Sequence, residues 1–200
     1  MTGLIGRLTR AYEAGHAAPA PRLWPDPRTE QIASFKPAAV LIAVTDRPDP
    51  GLLLIHRPGT MRAHPGQVAF PGGRLDPGET PVEAALREAH EELGIPPDAV
   101  QVIGESDLYQ TGSGYAVTPV LAVVPPDLPL VPNPHEVAQW FEAPLSFVLD
   151  PAQHQTGAME WAGEMRRYVE MHWNGHRIWG VTGAIIANLA QRLNWTSAHD

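Results

Sequence analysis

Residues 73–95, GRLDPGETPVEAALREAHEELGI, specify a helix at both ends and load one side of it with carboxylates. Thr80 stands three residues before Glu83, with Pro81 at the first helical position, so a capping box and an N1 proline define the start. Gly94 and Pro96 define the stop. With Arg87 at 0° and ~100° per residue, Val82, Ala85, Leu86, Ala89 and Leu93 occupy an apolar arc from about 160° to 260°. Glu88, Glu91 and Glu92 fall at about 100°, 40° and 140°, beside that arc. Like charges at such spacing destabilise a helix. The spacing alone is compatible with two readings. One is a solvated acidic face, the other a rigid set of oxygen ligands for a hard divalent cation.

Composition narrows the choice of partners. The chain has 200 residues, 22 acidic and 14 basic, a formal net charge of −8 and no cysteine. Disulfides, thiolate metal sites and cysteine nucleophiles are excluded, and a basic nucleic-acid surface is not expected. Seven of the acids lie between Asp76 and Asp98, against the single Arg87. Thirteen of the basic residues are Arg, with Lys36 the exception, so protein-borne phosphate contacts must be mainly guanidinium. Runs such as Ala38 to Val44 and Val120 to Val124 fall short of the ~20 apolar residues of a membrane span. Met1 to Arg10 lacks the ~7–15-residue apolar core of a signal peptide. A cytoplasmic monomer or homodimer with a small-molecule substrate, no nucleic acid and no membrane is the expectation.

Along the chain, residues 1–17 have helical spacing and Pro19 to Pro27 reads as an extended arm. Residues 1–35 are expected to pack on a single domain, residues 36–195, with 196–200 as a tail. Strands are predicted at Ala38 to Thr45, Leu52 to His56, Gln67 to Phe70, Val100 to Gly104, Val117 to Val124 and Arg167 to Trp173. Pro71-Gly72-Gly73 reads as a tight turn. Further helices are predicted at Pro144 to Leu149 and Val181 to Leu193, with Ile178 and Trp179 packing the last one. Without regular βαβ spacing, the class is α+β, a mixed sheet sandwiched between helices.

Residues 73–95 also resemble a known motif. Gly73, five residues, Glu79, seven residues, Arg87-Glu88, Ala89, one residue, Glu91-Glu92, one residue, Gly94 and Ile95 match the Nudix hydrolase box at every fixed position. The resemblance implies the Nudix fold (α/β/α) and metal-dependent cleavage, with magnesium or manganese, of a nucleoside diphosphate linked to another group. Upstream, Leu53-Leu54-Ile55-His56-Arg57, then Arg62, the run His64-Pro65-Gly66-Gln67-Val68-Ala69-Phe70 and Pro71-Gly72-Gly73 are similar to the coenzyme A pyrophosphatase subfamily. Ile55 and Pro58 depart from that pattern, which favours Thr and Ser or Ala there. Weaker similarity extends from about residue 38 to about 193, including Ser113-Gly114-Tyr115 and Ile178 to Thr182.

The resemblance implies roles for individual residues. Glu88 and Glu92 are expected to ligate metal, with Glu91 as a further ligand or the holder of the attacking water. Gly73, Glu79, Arg87 and Gly94 are expected to be structural, Glu79 and Arg87 as an ion pair between loop and helix. Glu136 is the candidate general base, with Glu105 and Asp107 as weaker alternatives. Arg57, Arg62, His64 and Gln67 are candidate substrate contacts, since Arg suits bidentate phosphate binding. Hydrolysis of coenzyme A or an acyl derivative to 4′-phosphopantetheine (or its acyl form) and adenosine 3′,5′-bisphosphate is the leading expectation. Another Nudix substrate, such as ADP-ribose, NADH or a dinucleoside polyphosphate, is the alternative within enzymes. A non-catalytic nucleotide-sensing module is the alternative outside them.

Overall fold

The computed structural model describes residues 3–19, 21, 23–59, 66–161 and 163–195. Among these, the helices are α1 (Leu4–Ala17), α2 (Pro81–Leu93), α3 (Leu145–Val148) and α4 (Gly180–Leu193). The strands are β1 (Lys36–Thr45), β2 (Gly51–His56), β3 (Val68–Ala69), β4 (Gly72–Arg74), β5 (Gln101–Glu105), β6 (Tyr109–Gln110), β7 (Tyr115–Val124), β8 (Gln139–Pro144), β9 (Gln155–Trp161), β10 (Glu164–Trp173) and β11 (His176–Trp179).

The main sheet is mixed. β1 runs parallel to β7 along its whole length, and the other pairings are antiparallel. β1 and β7 read as nearly continuous apolar runs because the sheet is covered on both sides. Ile42 and Val44 of β1, Leu54 of β2 and Leu121 of β7 pack on the side that includes α1 and α4. Leu41 and Ala43 of β1, Ile55 of β2 and Ala122 of β7 pack on the side of α2. A second, three-stranded sheet, β11-β10-β9, packs through Val169, Met171 and Ile178 against α4.

On its second edge β1 has two partners. β2 meets it at Val44, whereas β4 takes Ala38 to Val40. Pro71-Gly72-Gly73 is therefore not the expected turn, since Gly72 and Gly73 are strand residues opposite Val40 and Ala39. A Cβ on Gly72 would stand 2.4 Å from Ala39 O and 2.7 Å from Val40 Cα, so only glycine permits this approach. The expected helix at Pro144 to Leu149 shortens to one turn, and β4, β6, β8, β9 and β11 have no counterpart among the expected strands.

The N-terminal segment joins the core. Leu8 is fully buried, and the Asn188 side chain makes two hydrogen bonds to the Trp24 backbone, at 2.7 and 3.2 Å. Asp107, on the loop between β5 and β6, accepts two hydrogen bonds of 2.6 Å from Arg192 at the end of α4. Arg192 also donates to Gly15 O and Ala18 O, tying α1 to the same point. No helix among the described residues is long and apolar enough to cross a membrane.

The Asp107–Arg192 pair is largely buried, and Arg192 holds the Asp107 carboxyl below its ordinary range. Asp107→Ala is expected to lower the unfolding free energy by about 3 kcal/mol, the low end for breaking a buried pair. A reduced urea midpoint with an unchanged slope would show it. Because the folded-state pKa is depressed, the pair's contribution is complete above the unfolded-state pKa and fades as pH falls through the folded value.

Candidate active site

α2 begins and ends as its sequence dictates. Thr80 Oγ1 accepts from Glu83 N–H while the Glu83 carboxylate accepts from Thr80 N–H, and Gly94 closes the helix in the left-handed conformation at φ 71°. Its rotation about its own axis differs from the apolar arc. Ala84, Ala85, Ala89, Glu92 and Leu93 are buried and Glu88 is half-buried, whereas Val82 and Leu86 are only partly covered. On the same wheel the buried arc runs from about 60° to about 240°, so Glu88 and Glu92 lie near its middle. The helix has rolled toward its acidic side.

The glycines of β4 make this roll possible. Glu92, 4% exposed, accepts a hydrogen bond of 2.9 Å from Gly72 N–H. A Cβ on Gly73 would come within 2.4 Å of Glu88 Oε1. Burial pushes Glu92 up to about 8; Glu88 and Glu136 add to the rise, and the Gly72 N–H and Arg57 oppose it. Glu88 is also raised, by burial first and then by Glu91 and Glu136, against the pull of Arg87.

Arg87 spends all five of its donors. It bonds Glu79 through Nε and Nη2 at 2.7 and 3.1 Å, Glu88 and Glu91 through Nη1 at 3.0 Å each, and Arg74 O through Nη2 at 3.0 Å. The expected Glu79–Arg87 ion pair is thus present, and the bond to Arg74 O also anchors β4 to α2. The acidic cluster is far better neutralised than a count of one Arg against seven acids suggests. Glu91 is the residue this displaces: it is held by Arg87 and does not line the cavity that Glu88 and Glu92 face.

That cavity, about 410 Å³, collects most of the candidate residues that the structure describes. Glu88, Glu92, Glu136, Arg57, Gln67 and Gly73 line it, together with Ser113 and Tyr115. Glu136 arrives because its loop satisfies the free carbonyls at the end of α2. Val131 N–H donates to Leu93 O at 2.8 Å and Asn133 N–H to Glu92 O at 2.9 Å, and Glu136 N–H closes a turn on Asn133 O at 3.0 Å. Arg62 and His64 lie outside the described residues. Glu105 and Asp107 do not line the cavity: Glu105 O accepts from Tyr12 of α1, and Asp107 is committed to Arg192. Trp179, expected only to pack α4, instead forms part of the cavity wall beside Val181 and Thr182. The signal for that role was its place in the Ile178 to Thr182 similarity.

The donor set suits a hard cation. Three carboxylates face one cavity, and two of them, Glu92 and Glu88, are raised by burial first and by neighbouring carboxylates next, which together outweigh the pull of Arg57 and Arg87. The cage is not preformed, because among the described residues no three carboxylate or imidazole groups converge closely enough for one ion. Arg87 holds Glu88 Oε1 and draws Glu91 away. In the same cavity lining, Arg57 Nε is buried without a hydrogen-bond partner among the described residues.

Comparison with known proteins agrees with this geometry. Residues 35–164 match the NUDIX domain family. The chain belongs to the Nudix hydrolase family. It is 42% identical over 170 residues to the uncharacterized Nudix hydrolase NudL of Photorhabdus laumondii, covering 84% of this chain and 91% of that one. It is 43% identical over 164 residues to the NudL protein of Escherichia coli, covering 82% and 85%. A solved MutT/nudix family protein from Enterococcus faecalis aligns with a TM-score of 0.50 and 16% identity over 90% of this chain and 65% of that one, a likeness of fold alone. The chain is accordingly a Nudix pyrophosphatase, a hydrolase of a small-molecule nucleoside diphosphate derivative.

Gly73→Ala gives a direct check on the site. The clash falls on the mobile end of Glu88 rather than on backbone, so the fold should survive with a near-normal thermal midpoint. Displacing Glu88 by about 1 Å should cost about 10²-fold in turnover. Steady-state kinetics beside a melting curve tests both halves.

Proposed function

We infer that the chain hydrolyses the diphosphate of coenzyme A or an acyl-coenzyme A, releasing 4′-phosphopantetheine or its acyl form and adenosine 3′,5′-bisphosphate. The observation that carries the reading is that the stretch similar to coenzyme A pyrophosphatases supplies one wall of the carboxylate cavity. Arg57, Gln67, Gly72 and Gly73 all come from it and face Glu88, Glu92 and Glu136.

Nudix hydrolases generally use divalent metal ions, and here Glu88 and Glu92 would hold magnesium or manganese. When bound, such an ion neutralises diphosphate charge and lowers the pKa of water. Arg57 is suited to grip a phosphate oxygen with its free Nε donor and to fix the diphosphate against the carboxylates. Glu136 accepts the proton of the attacking water as the P–O–P bridge breaks. Its loop is tied by hydrogen bonds to the last turn of α2, which carries Glu92. Glu79, Arg87 and Gly94 keep α2 in place. Glu91, held by Arg87, is left out of this scheme.

A product assay on coenzyme A, acyl-coenzyme A, ADP-ribose, NADH and dinucleoside polyphosphates, with magnesium and with manganese, tests the assignment. Coenzyme A derivatives should rank first, and activity should vanish in chelator and return with added metal. A different leading substrate redirects the assignment within the family, and silence on all of them favours the sensing module. Glu88→Gln and Glu136→Gln should each lower turnover by about 10²-fold or more without unfolding the chain. Near-normal turnover would remove the residue concerned from the chemistry.

A further inference from the structure

A second cavity, about 280 Å³, adjoins the carboxylate site, and Gln67, Trp179 and Val181 line both. Its far walls come from β9, β10 and the arm that follows α1, none of which contributes to the Nudix box. Two properties distinguish it. It is aromatic: Trp161, Tyr168 and Trp179 line it, and Trp161 remains 51% exposed with the Arg28 guanidinium 5.5 Å from its ring centroid. Behind Trp179, Arg177 stacks at 4.5 Å and Tyr168 makes an edge contact at 5.7 Å, holding the ring between the two cavities.

It is also cationic, in a chain of net charge −8. Arg28, Arg166 and Arg167 line it against one acid, Asp26. Asp26 is already spent, accepting two bonds from Arg28 at 2.8 and 2.5 Å and one from Gly112 N–H at 2.6 Å. Arg166 is fixed by Pro27 O at 2.8 Å and by the exposed Glu164 at 3.0 Å, yet its Nε is buried without a partner among the described residues. Arg167 makes no hydrogen bond or ion pair among the described residues. With Asp26 on Arg28 and Glu164 on Arg166, one guanidinium, Arg167, is left in surplus, and it stands with the unpartnered Arg166 Nε beside the exposed Trp161 ring, a set that recognises a flat heteroaromatic ring carrying an anionic group.

We propose that this chamber binds the phosphorylated nucleoside end of the substrate, with the base against Trp161 and Trp179 and the 3′-phosphate on Arg166 and Arg167. The substrate then lies across the wall formed by Gln67, Trp179 and Val181, with its diphosphate at Glu88 and Glu92 and its other arm on the carboxylate side. Discrimination for a 3′-phosphate is thereby placed on β10. The inference rests on coenzyme A as substrate.

Kinetics of the full chain on coenzyme A and on 3′-dephospho-coenzyme A separate the cases. Arg167→Ala should raise KM for coenzyme A about tenfold more than KM for the dephospho form, with little change in kcat. Trp161→Ala should raise KM for both alike, because both carry adenine. Equal effects of Arg167→Ala on the two substrates, or selectivity lost only in Arg62→Ala, overturn the proposal. If the wild type cleaves neither compound, the functional reading falls and calorimetric binding of adenosine 3′,5′-bisphosphate decides the chamber. Binding weakened about tenfold by Arg167→Ala supports it, and absent or unaltered binding overturns it.

Discussion

The buried Glu92 carboxylate, hung on the N–H of Gly72, is the contact on which the rest of the site depends. Placing a carboxylate in the interior is costly without partners. The chain accepts that cost in the last turn of α2. The contact requires β4 to lie against β1 with no Cβ at Gly72, and α2 to roll until its acidic side faces the protein. Once both conditions are met, Glu88 and Glu136 share a cavity with Glu92; after burial itself, both disfavour the ionised form of Glu92, and Glu136 that of Glu88. The site is arranged to gain from a positive charge.

Arg87 is the complementary device. Its five donors join Glu79, Glu88, Glu91 and the Arg74 carbonyl, so one side chain fixes the loop between β4 and α2 and sets how far each glutamate can move. Glu79 is drawn below its ordinary pKa chiefly by Arg87, whereas Glu88 stays raised despite the same partner, because burial outweighs the single bond. A loop acid and a helix acid that share Arg87 thus have opposite character, Glu79 a structural anion and Glu88 a poorly satisfied carboxylate at a cavity.

Much of this was legible in residues 73–95. The ends of α2 are set by local chemistry, the Thr80–Glu83 box and the left-handed Gly94, and such signals survive folding unchanged. The roll of the helix was not legible, because a helical wheel ranks positions by their own polarity and cannot register that two glycines on another strand leave room for a carboxylate. β1 and β7 stood out because burial on both faces demands apolar residues throughout. β9 escaped notice for the opposite reason: six of its seven residues are exposed, so no burial pattern marks it. The second cavity, built from β9, β10 and the arm after α1, was hidden with it. Glu136 could be named but not placed, since its position follows from two hydrogen bonds to the end of α2.

Everything proposed for this site turns on Glu88 and Glu92 forming a cation site inside the cavity. Anomalous scattering from manganese-loaded crystals tests it most directly. An anomalous peak is expected in the cavity, at the ~2.0–2.6 Å that separates a hard cation from oxygen ligands, here those of Glu88 and Glu92. Manganese bound only elsewhere on the chain, with this cavity empty at saturating metal, would contradict it.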